Sequence, residues 1–150
     1  MIRIYKLLFA LPLLLLFAGC KTDTAVVPSN LQNAALIGKW LLKSLDVETQ
    51  VDADPPTYAN YTTFADKDFF EFKANNAAVY SSSIIGAAYT GHYSTNTNAV
   101  PNPITFVSGS FGATFYLESL TSNTMVIYQT ASSTALGVTT TVTNYYTYKK

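Results

Sequence analysis

The sequence predicts an all-β domain, an antiparallel up-and-down barrel of eight short strands set behind a cleaved signal peptide. Three observations point there. Apolar and polar residues alternate with period two, most clearly where Phe70 and Phe72 face away from Glu71 and Lys73. That is the pattern of a sheet with one dry face. Runs of this kind recur along the chain, joined by hairpin-length links, and no amphipathic helix exceeds two turns. Closure into a barrel removes the exposed edges such a sheet would otherwise carry. A two-layer β-sandwich is the alternative that alternation leaves open.

The chain begins with an export segment. Arg3 and Lys6 precede an apolar run of twelve residues, Leu7 to Ala18. A membrane span needs roughly 20 residues, so the run is too short to cross. It has the proportions of a signal-peptide core. It ends in Phe17-Ala18-Gly19-Cys20, which resembles the bacterial lipobox, whose Cys becomes the acylated N-terminus. Cys20 is the only Cys, which rules out an internal disulfide and a Cys-rich metal site. The expected division is signal peptide 1–19, tether 20–30 and one barrel domain 31–150. The implied address is the cell envelope, on the periplasmic or surface face of a Gram-negative outer membrane, with palmitate or a similar acyl chain as the anchor.

The domain opens with a short helix, Leu31 to Ile37, stopped by Gly38. The first strand runs from Lys39 to about Val47, with Trp40, Leu42 and Ser44 on one face. Trp40, the single Trp, stands two residues after Gly38 and is suited to plug one end of the barrel. An acidic, aromatic loop follows from Glu48 to Asp66, carrying Tyr58, Tyr61 and Phe64. Loops of that length tend to be functional or disordered. The next strands are Phe69–Ala74, Ala77–Ile85 and Ala87–Thr95, the first two joined by Asn75-Asn76, a pair that tolerates positive φ. Four more are expected at Ile104–Val107, Phe111–Leu120, Thr124–Thr130 and Val138–Tyr148. The small residues Ala131 to Gly137 read as a loop.

Charge excludes some partners. Of nine basic residues, Arg3 and Lys6 leave with the signal, so seven face nine acidic ones. No basic cluster suggests nucleic acid. His92 is the only His and sits on a Thr/Ser face, without further ligands for a metal or a buried acid to orient it. Asp46, Glu48, Asp52 and Asp54 lack the Gly and terminal Glu of a calcium loop. No catalytic residue, metal site or cofactor is expected, and the chain is not read as an enzyme.

These residues together resemble the lipocalin-like domains of Bacteroidetes lipoproteins. The opening Gly-x-Trp of that family matches Gly38-Lys39-Trp40, followed by Leu41, Leu42 and Ser44. Its Phe-x-Phe strand matches Phe70-Glu71-Phe72, and its Gly-x-aromatic strand matches Gly91-His92-Tyr93. A late strand pair matches Phe115, Leu117 and the run Leu120-Thr121-Ser122-Asn123-Thr124-Met125. Two departures are visible: Asn75-Asn76 stands where an Asp-Gly turn is frequent, and no Arg follows late in the chain to close over the Trp. The resemblance covers about Leu36 to Tyr148 and implies a lipocalin-like barrel more than an activity.

An eight-stranded barrel is just wide enough to be filled by side chains or to hold one small ligand. The inward aromatics are Trp40, Phe70, Phe72, Tyr80, Tyr89, Tyr93, Phe106, Phe115, Tyr146 and Tyr148; the candidates for ligand contact among them are Trp40, Phe70, Phe72, Tyr89, Tyr93, Phe115 and Tyr146, with Gln129 and Asn144 as amides. Two functions follow. The barrel binds a small apolar or amphipathic ligand, as a monomer held to the membrane through the lipid on Cys20. Alternatively its core is filled, and it is a structural or protein-interaction lipoprotein acting through its outer surface and the Glu48–Asp66 loop.

Overall fold

The computed structural model describes residues 34–96 and 98–150. The signal segment, the tether and Cys20 lie outside the described residues. A single 3-10 turn, Ala34–Leu36, leads into nine strands. They are β1 (Gly38–Val51), β2 (Thr57–Tyr61), β3 (Phe69–Phe72), β4 (Ala77–Ser82), β5 (Ala87–Thr95), β6 (Asn102–Ser108), β7 (Phe111–Leu120), β8 (Thr124–Ala135) and β9 (Val138–Lys149). No helix among the described residues is long and apolar enough to cross a membrane.

Strand order explains the closure. Each strand from β3 to β9 pairs antiparallel with its neighbour in sequence, and β9 returns to pair with β1. Eight strands, β1 and β3 to β9, therefore form the expected closed up-and-down barrel, and not the two-layer sandwich that alternation left open. β2 is a ninth strand outside the ring. It pairs with the upper half of β1, from Leu45 to Thr49. β3 takes the lower half of the same edge, from Gly38 to Leu41.

Three local expectations are corrected. First, β1 continues to Val51, and the Glu48–Asp66 segment contains β2. Second, Ala131 to Ala135 is strand, and the hairpin turns at Leu136-Gly137 with φ of 52° and 83°. Positive φ at both central residues matches the twist of a tight hairpin. Third, β1 carries a bulge between Leu42 and Ser44. Leu42 pairs with Tyr148 and Leu45 with Tyr146, so one extra residue, Lys43, shifts the phase. Ser44 turns outward opposite Thr147, and Leu45 turns into the barrel. The opening helix reduces to the 3-10 turn over its described residues.

One end of the barrel is closed. Gly38 adopts φ 126°, which a side chain would resist, and this sends the chain from the 3-10 turn into β1. The Trp40 indole Nε1 donates to the Leu36 carbonyl at 2.6 Å. Leu36 and Trp40 are fully buried. Lys150 covers them from the C-terminus, its ammonium 4.4 Å from the Trp40 ring centroid and 3.5 Å from the Ala35 carbonyl oxygen. Lys150 thus closes over the Trp through a cation–π contact.

Above this plug the lower lumen is packed. Phe70 is the hub, with ring centroids 4.2 Å from Phe72, 5.2 Å from Tyr80, 5.7 Å from Phe106 and 5.9 Å from Phe115. Phe72 meets Tyr93 edge-on at 4.9 Å, and Leu42, Ile104, Met125, Ile127 and Tyr148 fill the remaining space. Edge-to-face aromatic pairs add about 0.5–1.5 kcal/mol each beyond the area they bury. Gly91 is required by packing: a Cβ there would lie 2.0 Å from the Val107 carbonyl oxygen on β6. The Gly in Gly91-His92-Tyr93 is thus explained by a close approach of β5 and β6.

Candidate ligand site at the open end

At the other end the lumen is left partly unfilled. Inward positions there come from β4, β7, β8 and β9. Tyr80, Phe111, Ala113, Phe115, Gln129 and Tyr146 line a cleft of about 250 Å³, rimmed by Ile84 and Ile85 of the β4–β5 turn. Alternation puts Gln129 and Tyr146 on the inner face, with Gln129 opposite Asn144 and Ile127 opposite Tyr146. Tyr89 stacks on Phe111 at 4.1 Å with the rings 4° from parallel, forming an aromatic shelf at the rim.

The polar groups of this cup are satisfied but accessible. Gln129 Nε2 donates to the Thr114 carbonyl at 3.0 Å, and the Tyr146 hydroxyl donates to Gln129 Oε1 at 3.5 Å. Burial, with a smaller contribution from Tyr80, pushes the Tyr146 hydroxyl up to about 12. It therefore stays a neutral donor across the physiological range. The arrangement, apolar walls with one amide and one hydroxyl, is the composition of small-molecule sites. It offers orientation through hydrogen bonds.

Beside the cup, β2 and the following loop form a second cleft of about 590 Å³. Leu45 and Val47 make its floor, Asn60, Tyr61 and Phe64 its wall, and Ile84 its border with the cup. A clasp holds this loop in place. Asp68 is buried, and its carboxylate accepts from the Ala65 amide at 3.1 Å, the Ser83 hydroxyl at 2.9 Å and the Ser83 amide. The Asp68 carbonyl accepts from the Leu42 amide at 2.9 Å. One residue therefore ties the β2–β3 loop to the β4–β5 turn and to β1. Sequence reading missed Asp68, which sits among solvated acids and finds its partner 15 residues away.

The candidates named from sequence divide between the two ends. Trp40, Phe70, Phe72 and Tyr93 are buried in the packed lower lumen and line neither cleft. Phe115 bridges the zones, buried yet part of the cup wall. Gln129 and Tyr146 line the cup, and Tyr89 stands at its rim. Asn144 lies further up the inner face of β9, between Gln129 and Val47 in register. Tyr80, read as inward from the sequence, completes the cup with Phe111 and Ala113, which were not singled out. His92 is exposed on β5, and no group of three or more His, Cys, Asp or Glu among the described residues is placed to hold a metal.

The comparisons agree with this geometry. A family model described as the lipocalin-like domain matches residues 36–127. The match ends inside β8, so β9, which closes the ring, lies beyond it. No curated protein and no solved structure matches the chain. A lipocalin-like barrel is a ligand-binding kind of fold and typically a non-catalytic one. The matched stretch takes in more than half of the chain, and the chain belongs to the lipocalin-like domain family.

Proposed function

We propose that this chain is a lipid-anchored lipocalin-like lipoprotein that binds a small apolar or amphipathic ligand at the open end of its barrel. The observation that carries the reading is the cup of about 250 Å³ between Tyr80, Phe111, Phe115, Gln129 and Tyr146. The lower lumen is filled, so the ligand is small and sits near the rim. Gln129 and Tyr146 orient its polar end, and the Tyr89–Phe111 shelf receives its apolar part. Anchoring through acylated Cys20 is supported by Ala18-Gly19-Cys20 behind an apolar core of signal-peptide length. The outer membrane of a Gram-negative cell is the corresponding address.

The test is titration of the Cys20→Ser protein with fatty acids, retinoids and bile acids, followed by native mass spectrometry of protein purified from its own membrane. The reading expects a bound species, lost on Ala113→Trp, which fills the cup. Absence of any bound species in both assays would overturn it. The packed lower lumen supports a second reading in that case, a non-catalytic interaction lipoprotein acting through its outer surface and the β1–β3 connection. Anchoring is tested separately: labelled palmitate should mark the wild type and spare Cys20→Ser, and equal labelling would defeat it.

A further inference from the structure

β2 has an uncommon position. Among the described residues it pairs with β1 alone, and its other edge is the end of the sheet. Every residue of the strand is exposed, Tyr58 at 73% and Tyr61 at 54%. Exposed edges are normally blunted by Lys, Pro or a bulge. The strand Thr57-Tyr58-Ala59-Asn60-Tyr61 has no Lys or Pro, and its register with β1 runs without a break.

The free edge borders the larger cleft. β3 is only four residues long, and among the described residues no strand pairs with the outer edge of β2. Asn60 and Tyr61 of β2 line this opening with the apolar groups Leu45, Val47, Phe64 and Ile84. A row of unpaired amides and carbonyls is complementary to one thing, another extended backbone, and the pockets beside it take alternate side chains.

Charge selects the occupant. Between positions 46 and 71 six acidic residues are not buried, Asp46, Glu48, Asp52, Asp54, Asp66 and Glu71, with Lys67 as the single base in that stretch. A second copy would bring the same acidic surface to the edge, and like charges across an interface oppose it. A basic segment is attracted instead. We propose that the free edge of β2 is a strand-addition site for an extended, Lys- or Arg-bearing peptide segment of a partner protein. No β2 residue lines the cup, so this site goes beyond the ligand reading and stands without it.

The test uses the full chain with Cys20→Ser and reads amide hydrogen exchange at residues 57–61. The probe is an octapeptide of alternating Lys and Val. The controls are the matching Glu-Val octapeptide and the Lys-Val octapeptide N-methylated at alternate residues on either edge. The Lys-Val probe should slow exchange at free-edge amides of β2 by about tenfold or more, as new backbone bonds do. The Glu-Val and methylated peptides should not, and the double variant Glu48→Gln, Asp54→Asn should weaken the effect. Failure of the Lys-Val probe, or equal slowing by a control, would overturn the proposal. Slowing that rises with protein concentration alone would assign the edge to a second copy and overturn it as well.

Discussion

The two ends of this barrel are built from different materials. At the closed end, Trp40, Phe70, Phe72, Phe106, Met125 and Tyr148 are buried, and Lys150 seals the plug. At the open end, β8 and β9 continue past the core as a hairpin whose turn residue Leu136 is fully exposed. Its outer face is laced by hydroxyl pairs, Thr130 with Thr143 at 3.0 Å, Ser132 with Thr141 at 2.8 Å and Thr134 with Thr139 at 3.0 Å. Packing fixes one end, and cross-strand hydrogen bonds between short side chains hold the other. The difference places stability below and binding capacity above, since a filled lumen admits no ligand and an unfilled one adds little to the fold.

The sharpest way to break that division is Trp40→Ala. It removes the largest side chain of the plug and its bond to Leu36, and should cost about 3–5 kcal/mol, as large aromatic truncations in cores do. Denaturant unfolding measures it. A loss below about 1 kcal/mol would mean that the plug is not what closes the barrel.

The Asp68 clasp refines the comparison, because it is the one strongly fixed point near the open end. Asp68→Ala leaves the Ser83 and Ala65 amides without their acceptor and should cost about 2–3 kcal/mol. It should also loosen the β2–β3 loop in hydrogen exchange. Loss of stability without loosening would locate the effect elsewhere.

Alkaline pH should act through the buried tyrosines. Burial raises Tyr148 well above the ordinary value, Tyr146 to about 12, and Tyr80 upward. The unfolded chain releases these protons first, near pH 10. Their contribution is therefore complete below about pH 10 and is lost as pH rises toward 12. Thermal midpoints measured across that window should fall in the wild type and fall less in Tyr148→Phe. Parallel curves would contradict the assignment.

The smallest effect is expected at the rim. Ile84, 55% exposed, borders both clefts. Ile84→Ser should change stability by less than about 0.5 kcal/mol while altering ligand or peptide affinity. A large stability loss would make the rim part of the core.

How much of this was legible follows the same division. Phe70/Phe72 and Tyr146/Tyr148 announce their faces by alternation, so the ring of strands and most of its filling could be read directly. The bulge at Lys43 could not, because one inserted residue leaves no mark in composition, yet it carries Leu45 into the barrel. β2 was hidden because a short neutral strand behind Pro55-Pro56 has the composition of a loop. The end of β8 was hidden because Ala131, Ser132 and Ser133 pack nothing. Lys150 over Trp40 and Ser83 on Asp68 depend on contacts between residues far apart in sequence, which closure of the barrel creates. Of the site, the inward aromatics and Gln129 were readable; which of them face a cup was decided by how far the lumen fills.

Residue-resolved amide hydrogen exchange of the ligand-free protein tests the central division most directly. Hydrogen-bonded amides of β3, β6 and the lower part of β8, Thr124 to Tyr128, should exchange only through global unfolding. Those of β2 and of Thr130 to Ala135 should exchange through local openings costing at least about 2 kcal/mol less. Uniform protection along β8, from Thr124 through Ala135, would contradict it.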